Sequence, residues 1–318
     1  MVHTLGRSGL AVSPHGLGTM TWGRETDEHE AAEMLDIFMT SGGNYVDTAP
    51  FFGEGRAEHI VGKLVASVGR DNLVIGLHTG VKADEERRVD ASRSHLLQSL
   101  DSSLASMAVE CVDVWFVDRF DPHTPVEEIL LTMEIAVRSG RARYLGVGNY
   151  SGWQLAEIAA KAAPSLPITA SSVEYSLVQR GIEREHLPAA RHFGIGVIPW
   201  SPLGRGVLTG KYRSGVPADS RAASPLWGRF VQTHLSAEAR RVVEAVATAA
   251  SGLGLAPLDI ALAWSRGREG TTASLLGART VGQLRAALTN VDLVLPDEIR
   301  AALDDVSALA RTYPDPAV

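Results

Sequence analysis

Val112-Asp-Val-Trp-Phe-Val117 is apolar at five of its six positions, without strict alternation, and it ends in Asp118. A strand covered on one face alternates; a strand covered on both reads like this one. Pro125 follows, suited to the first turn of a helix. Working outward, the same unit recurs. Candidate strands are His15-Gly-Leu-Gly18, Tyr45-Val-Asp47, Leu73-Val-Ile-Gly-Leu77, Tyr144-Leu-Gly-Val147, Ile168-Thr-Ala-Ser-Ser-Val173, Gly194-Ile-Gly-Val-Ile198 and Ala273-Ser-Leu-Leu276, which makes eight in all. Helical patterns lie between them. Thr26-Asp-Glu-His29 caps one that runs to about Thr40 and stops at Gly42-Gly43. Asp90 starts another, with Leu96, Leu97, Leu100, Leu104 and Met107 on one face. Others follow Ser151, Ile182, Ser236 and Thr280, and Pro296 opens the last. Eight strand–helix units in 318 residues predict an α/β chain folded as one (β/α)₈ barrel over residues 1–318. An open doubly wound sheet is the alternative, but no Gly-x-Gly-x-x-Gly turn follows an early strand.

Thirty basic and 37 acidic residues give a formal net charge of -7. That balance argues against nucleic acid or an anionic membrane as the main partner. A single cysteine, Cys111, excludes an intrachain disulfide and sits in an apolar run, which predicts a structural role. Met1-Val-His-Thr-Leu-Gly lacks the charged and apolar regions of a signal peptide, and no apolar stretch approaches a membrane span, so a cytoplasmic protein is expected. Asp84-Glu-Glu-Arg-Arg88 reads as a solvated turn. Residues 214–231, rich in Gly, Pro, Ser and Arg, read as a long loop.

Several motifs stand in a fixed order. Leu5-Gly-Arg-Ser-Gly-Leu-Ala-Val-Ser13 and Gly16-Leu-Gly-Thr-Met20 come first, then Asn44-Tyr-Val-Asp-Thr-Ala-Pro-Phe-Phe-Gly53 with Glu58. Arg119, Asp121-Pro122, Asn149, Glu174-Tyr-Ser-Leu177 and Arg180 follow. Trp200-Ser-Pro-Leu-Gly-Arg-Gly206 with Leu208-Thr-Gly-Lys-Tyr212, and Gly277-Ala-Arg-Thr280 with Gln283-Leu284, close the series. Together they resemble the aldo-keto reductases over nearly the whole chain. The resemblance implies an (α/β)₈ barrel with an N-terminal β-hairpin, a site at the C-terminal mouth, a small-molecule substrate and ancestry in NADP(H)-dependent carbonyl reduction.

The family carries a catalytic tetrad of aspartate, tyrosine, lysine and histidine. Matched position by position, Asp47 is the aspartate, Phe52 stands in place of the tyrosine, His78 in place of the lysine and Asp118 in place of the histidine. Phe52 has no proton to give to a reduced carbonyl, and losing a positioned acid costs roughly 10²–10⁴ in rate. His78 titrates near neutrality, and Asp47 is expected beside it, where a carboxylate can fix its tautomer. Asp118 adds a second carboxylate at a strand end. Trp22, Phe51, Phe52 and Trp115 are candidates for an apolar pocket wall. Asp47, His78 and Asp118 suit proton transfer, so elimination, dehydration, isomerisation or cyclisation of a small organic molecule, such as a specialised metabolite, is the first expectation. The alternative is NADP(H)-dependent carbonyl reduction with His78 or Asp118 as substitute donor. A third is an inactive binding or regulatory barrel. No spacing signature of a metal site is present, and none is expected.

On the cofactor side the resemblance assigns Ser201, Leu203, Gly204 and Gly206 to the pyrophosphate loop. Arg279 and Thr280 fall where the family grips the 2′-phosphate, with Gly277 in the same cofactor-side motif, and Gln283 where it meets adenine. Around the carboxamide, Asn149 remains, Ser172 replaces a glutamine and Gly148 replaces a serine; Trp200 replaces the stacking tyrosine and Ala287 an adenine-side asparagine. NADP(H), as reactant or as structural ligand, is the cofactor implied.

Overall fold

A computed structural model describes residues 2–82, 89–225 and 227–310. The charged turn at 84–88 lies outside these residues. His3–Thr4 (β1) and Ala11–Val12 (β2) pair antiparallel as the expected hairpin. Eight parallel strands follow: β3 (His15–Gly18), β4 (Tyr45–Thr48), β5 (Val74–Thr79), β6 (Val112–Val117), β7 (Ala142–Gly148), β8 (Ile168–Glu174), β9 (Gly196–Trp200) and β10 (Ser274–Leu276). Each pairs with its predecessor and β10 returns to β3, while the ring closes between β9 and the chain entering β10 through the Val197–Thr271 bridge. The barrel predicted from the strand–helix rhythm is therefore the fold.

Helices cover the outside: α1 (Glu28–Thr40), α2 (Arg56–Val68), α3 (Arg93–Met107), α4 (Val126–Arg138), α5 (Gly152–Lys161), α6 (His186–Phe193), α7 (Gly228–Gln232), α8 (Ala237–Leu253), α9 (Pro257–Arg266), α10 (Val281–Leu288) and α11 (Asp297–Val306). Asp27 caps α1 by accepting from the Glu30 N–H at 2.9 Å. Two predicted starts move. Asp90 does not open α3; it accepts from the Ser92 N–H, and Ser92 is the cap. The turn at Ile182 is a short 3₁₀ segment, and the α-helix begins only at His186. The helices α2 and α9 have no counterpart in the sequence reading, although Ile60, Val61, Leu64 and Val65 form an apolar stripe on α2. The 214–231 loop holds a 3₁₀ turn, Arg221–Ala223, and the start of α7.

Period-2 geometry divides each barrel strand into an inner and an outer row. Tyr45, Val114, Phe116, Ala170, Ile198 and Leu275 fill the inside, and Leu5 and Val12 of the hairpin region pack with them. The large inner side chains fit because glycines face them. A Cβ on Gly76 would stand 2.2 Å from the Tyr45 hydroxyl oxygen, and one on Gly16 would stand 2.5 Å from the Tyr45 ring. One step further along the strands, the same inner row becomes polar: Asp47 follows Tyr45, His78 follows Gly76, and Asp118 follows Phe116. The row that fills the barrel thus delivers the site to its C-terminal end.

Candidate functional site

Asp47, His78 and Asp118 meet. The His78 Nε2 lies 3.0 Å from Asp47 Oδ2, and Nδ1 lies 2.7 Å from Asp118 Oδ1. All three side chains are under 10% exposed, at 6%, 6% and 9%. Phe116 stacks on the imidazole with centroids 4.3 Å apart and planes within 3°. Burial on its own would lower the His78 pKa; the Asp47 and Asp118 carboxylates outweigh it and raise it to about 10. The ring is therefore an imidazolium at neutral pH, with both N–H groups donating. The carboxylates occupy opposite ring nitrogens, so the three side chains do not converge on one point. Among the described residues no group of three His, Cys, Asp or Glu is arranged to hold a metal ion.

Two further residues play parts in this array that the sequence did not suggest. The Tyr45 hydroxyl donates to the same Asp47 Oδ2 at 3.1 Å. Gly148, read from sequence as a lost carboxamide contact, makes room for Asp118: a Cβ there would lie 2.6 Å from Asp118 Oδ1 and 3.0 Å from its Cα. Asn149, at φ 58, donates through Nδ2 to the Asp118 carboxylate at 3.3 and 3.4 Å and accepts from Trp200 Nε1 at 3.0 Å. Ser172 lies beside this group, buried and in register with Gly148.

Of the aromatic candidates, Phe51 and Phe52 are half-buried and meet edge to face at 5.0 Å just beyond β4. Trp115 does not belong with them. Its neighbours Val114 and Phe116 point inward, so alternation turns Trp115 out into the helix-covered core, where it is fully buried and donates to Thr79 Oγ1 at 2.9 Å. Trp22 is likewise 1% exposed and packed into that core, so it presents no open wall. His123 is exposed in the loop after β6.

On the other side of the mouth the chain takes unusual backbone. Ser201, Gly204, Arg205 and Gly206 all have positive φ, at 54°, 56°, 59° and 93°. Held positive φ at non-glycine residues such as Ser201 and Arg205 costs free energy and gathers at functional sites. Arg205 is clamped by Glu174 (Nε 2.7 Å, Nη2 2.5 Å), which also takes His234 Nε2 at 2.9 Å. The guanidinium covers Phe230 at 3.8 Å from its centroid. The clamp ties the loop after β9, where Leu203 sits half-buried, to the barrel rim. Thr280 and Gln283 shape the start of α10: the Thr280 hydroxyl accepts from the Gln283 N–H and Gln283 Oε1 accepts from the Arg279 N–H at 2.9 Å. Gly277 is exposed, with open space where a Cβ would go.

Lys211 and Arg221, which the sequence reading did not single out, join Arg279 here. The Lys211 Nζ stands over the loop, 3.2 Å from where a Gly206 Cβ would be. Burial first, and then the Arg279 and Arg221 charges, lower the Lys211 pKa; burial and Arg279 likewise lower that of Arg221. The Arg221 Nε is buried without a hydrogen-bond partner. Three cations that repel one another, one with an orphaned donor, fit an anion such as a phosphate.

Among the described residues no single helix is long and apolar enough to cross a membrane. Residues 15–308 match the Aldo/keto reductase family. The chain is 33% identical over 315 residues to an uncharacterized oxidoreductase, YrpG, of Bacillus subtilis (strain 168), a match that covers 95% of this chain and 94% of that protein. Barrel, hairpin and comparisons agree: this chain belongs to the Aldo/keto reductase family.

Proposed function

We propose that this barrel is an NADP(H)-linked oxidoreductase that interconverts a small carbonyl compound and its alcohol. The Asp47–His78–Asp118 array would take over the proton that the family's tyrosine handles. The observation that carries this reading is the array itself: an imidazolium held between two carboxylates, at the C-terminal end of a barrel whose relatives are oxidoreductases. Members of the family typically bind NAD(P)H. Bound NADP(H) would supply or take up the hydride. Lys211, Arg221 and Arg279 would hold its phosphates, the Ser201–Gly206 loop would lie along them, and Trp200 would lie against the nicotinamide. Phe51 and Phe52 would flank the substrate. Elimination, isomerisation or cyclisation, the first expectation from the sequence, has no support among the relatives, and the redox reading is the better supported.

Calorimetry with NADPH and NADH, followed by turnover on a panel of small aldehydes, ketones and their alcohols, tests the proposal. NADPH is expected to bind the more tightly, and Arg279→Ala to weaken it roughly tenfold or more, the worth of a charge-assisted contact. Tight NADPH binding with no hydride transfer to or from any panel member would overturn the redox reading.

A further inference from the structure

Every N–H and O–H hydrogen in the array already has an acceptor. Tyr45 donates to Asp47 Oδ2 at 3.1 Å; His78 Nε2 lies 3.0 Å from the same oxygen and Nδ1 2.7 Å from Asp118 Oδ1, so the imidazolium gives both of its hydrogens to the two carboxylates. Asn149 Nδ2 donates to the Asp118 carboxylate and to its backbone oxygen at 3.3 Å, and Trp200 Nε1 is spent on Asn149 Oδ1. The position that would carry an acid in the family is a phenyl ring, Phe52. What the site has to spare is acceptor capacity. A carboxylate takes about four hydrogen bonds. Asp118 sits at the end of β6, its Oδ2 met by Asn149 at 3.4 Å and by the exposed Arg119 only at 3.9 Å.

We infer that the site works as a base: Asp118 is the group that accepts the hydroxyl proton of a primary or secondary alcohol as that alcohol is dehydrogenated. The inference rests on the redox reading above and names its proton acceptor. The balance is simple. The alcohol O–H bond breaks with its proton going to Asp118, the carbinol C–H bond breaks with its electron pair going to NADP⁺, the C=O bond forms, and Asp118 passes the proton to water. Tyr45 serves as a positioning residue. By donating to Asp47 from inside the barrel it keeps that carboxylate an acceptor, which holds both imidazole hydrogens on His78 and leaves Asp118 without one. Gly148 supplies the clearance that lets Asp118 stand there.

The first arm of the test reads the groups directly in the NADP⁺ complex. With ¹³C-carboxyl aspartate and ¹⁵N-histidine labels, and Asp118→Asn to assign the signal, Asp118 is expected ionised and His78 protonated on both nitrogens at neutral pH. A protonated Asp118 overturns the inference. The second arm measures kcat/KM in both directions for matched alcohol and carbonyl pairs between about pH 6 and 9. A base already in place makes oxidation flat and reduction fall about tenfold per pH unit. Flat reduction with rising oxidation, the signature of a resident acid, overturns it. Asp118→Asn is expected to cut oxidation by roughly 10²–10⁴ while NADP⁺ binding by calorimetry is unchanged; full activity in that variant also overturns it. Transfer in neither direction would sink the redox reading itself, an outcome separate from transfer with the wrong pH dependence.

Discussion

The two sides of the barrel mouth are built from opposite materials. On one, Lys211, Arg221 and Arg279 crowd cations around a backbone of positive φ, with an unpartnered guanidinium nitrogen. On the other, two carboxylates hold one imidazolium, and every hydrogen is spent. The first side has positive charge and a donor to spare, which suits an anion. The second is complete as it stands and offers only acceptors. The parts of the second side fit one another. Gly148 clears space that Asp118 occupies, and His78 supplies the charge that two buried carboxylates require.

The largest break in that comparison is His78→Ala. It leaves Asp47 and Asp118 buried without their shared cation, a loss that costs roughly 3–5 kcal/mol. A fall of that size in urea unfolding is expected, together with turnover reduced by about 10²–10⁴. NADPH affinity should stay within about twofold, because the phosphate side shares no partner with the imidazole. Collapse of cofactor binding in the same variant would show that the two sides are not separate.

Stability against pH sharpens the contrast with a smaller effect. The folded His78 pKa, about 10, lies above the ordinary 6.5. Its contribution is complete below about pH 6.5 and drains away as pH rises towards 10. Two other buried imidazoles work the opposite way. Burial lowers His15, helped by Arg266, and burial lowers His186, each to about 4. The unfolded chain binds those protons first, so their contribution is present above about pH 6.5 and is lost as pH falls to about 4. Each of the two downward shifts is worth on the order of 3 kcal/mol. Unfolding midpoints are expected to fall on both flanks of neutrality. In His78→Ala the alkaline loss should shrink and the acid loss persist.

How much of this the chain announced depends on distance along it. Barrel and strands were legible because Val112–Val117 and its counterparts carry their burial in their own letters. Asp47, His78 and Asp118 were legible because the motifs on either side of them resemble the family's and fix their register. Gly148 looked like erosion because its reason, the Asp118 side chain, stands on a neighbouring strand. Lys211 and Arg221 went unremarked because their meeting with Arg279 needs the loop after β9 folded back across the rim. Tyr45 was visible as a strand residue, but only the inner row shows that its hydroxyl reaches Asp47. The error over Trp115 was avoidable. Alternation from Asp118 back through Phe116 to Val114 puts position 115 on the other face.

That error yields the smallest and cleanest test of where the site ends. Trp115 and Asp118 belong to the same strand and its end, three residues apart, yet one faces the helices and the other the mouth. Trp115→Phe removes the Nε1–H bond to Thr79 Oγ1 while keeping an aromatic ring. The lost hydrogen bond is worth about 1 kcal/mol, with some further cost for the smaller ring in a packed core. A small drop in the unfolding midpoint is expected, with kcat, KM and NADPH affinity unchanged. A change in substrate preference without a change in stability would mean that the indole reaches the substrate, and that the division between inner and outer rows does not bound the site.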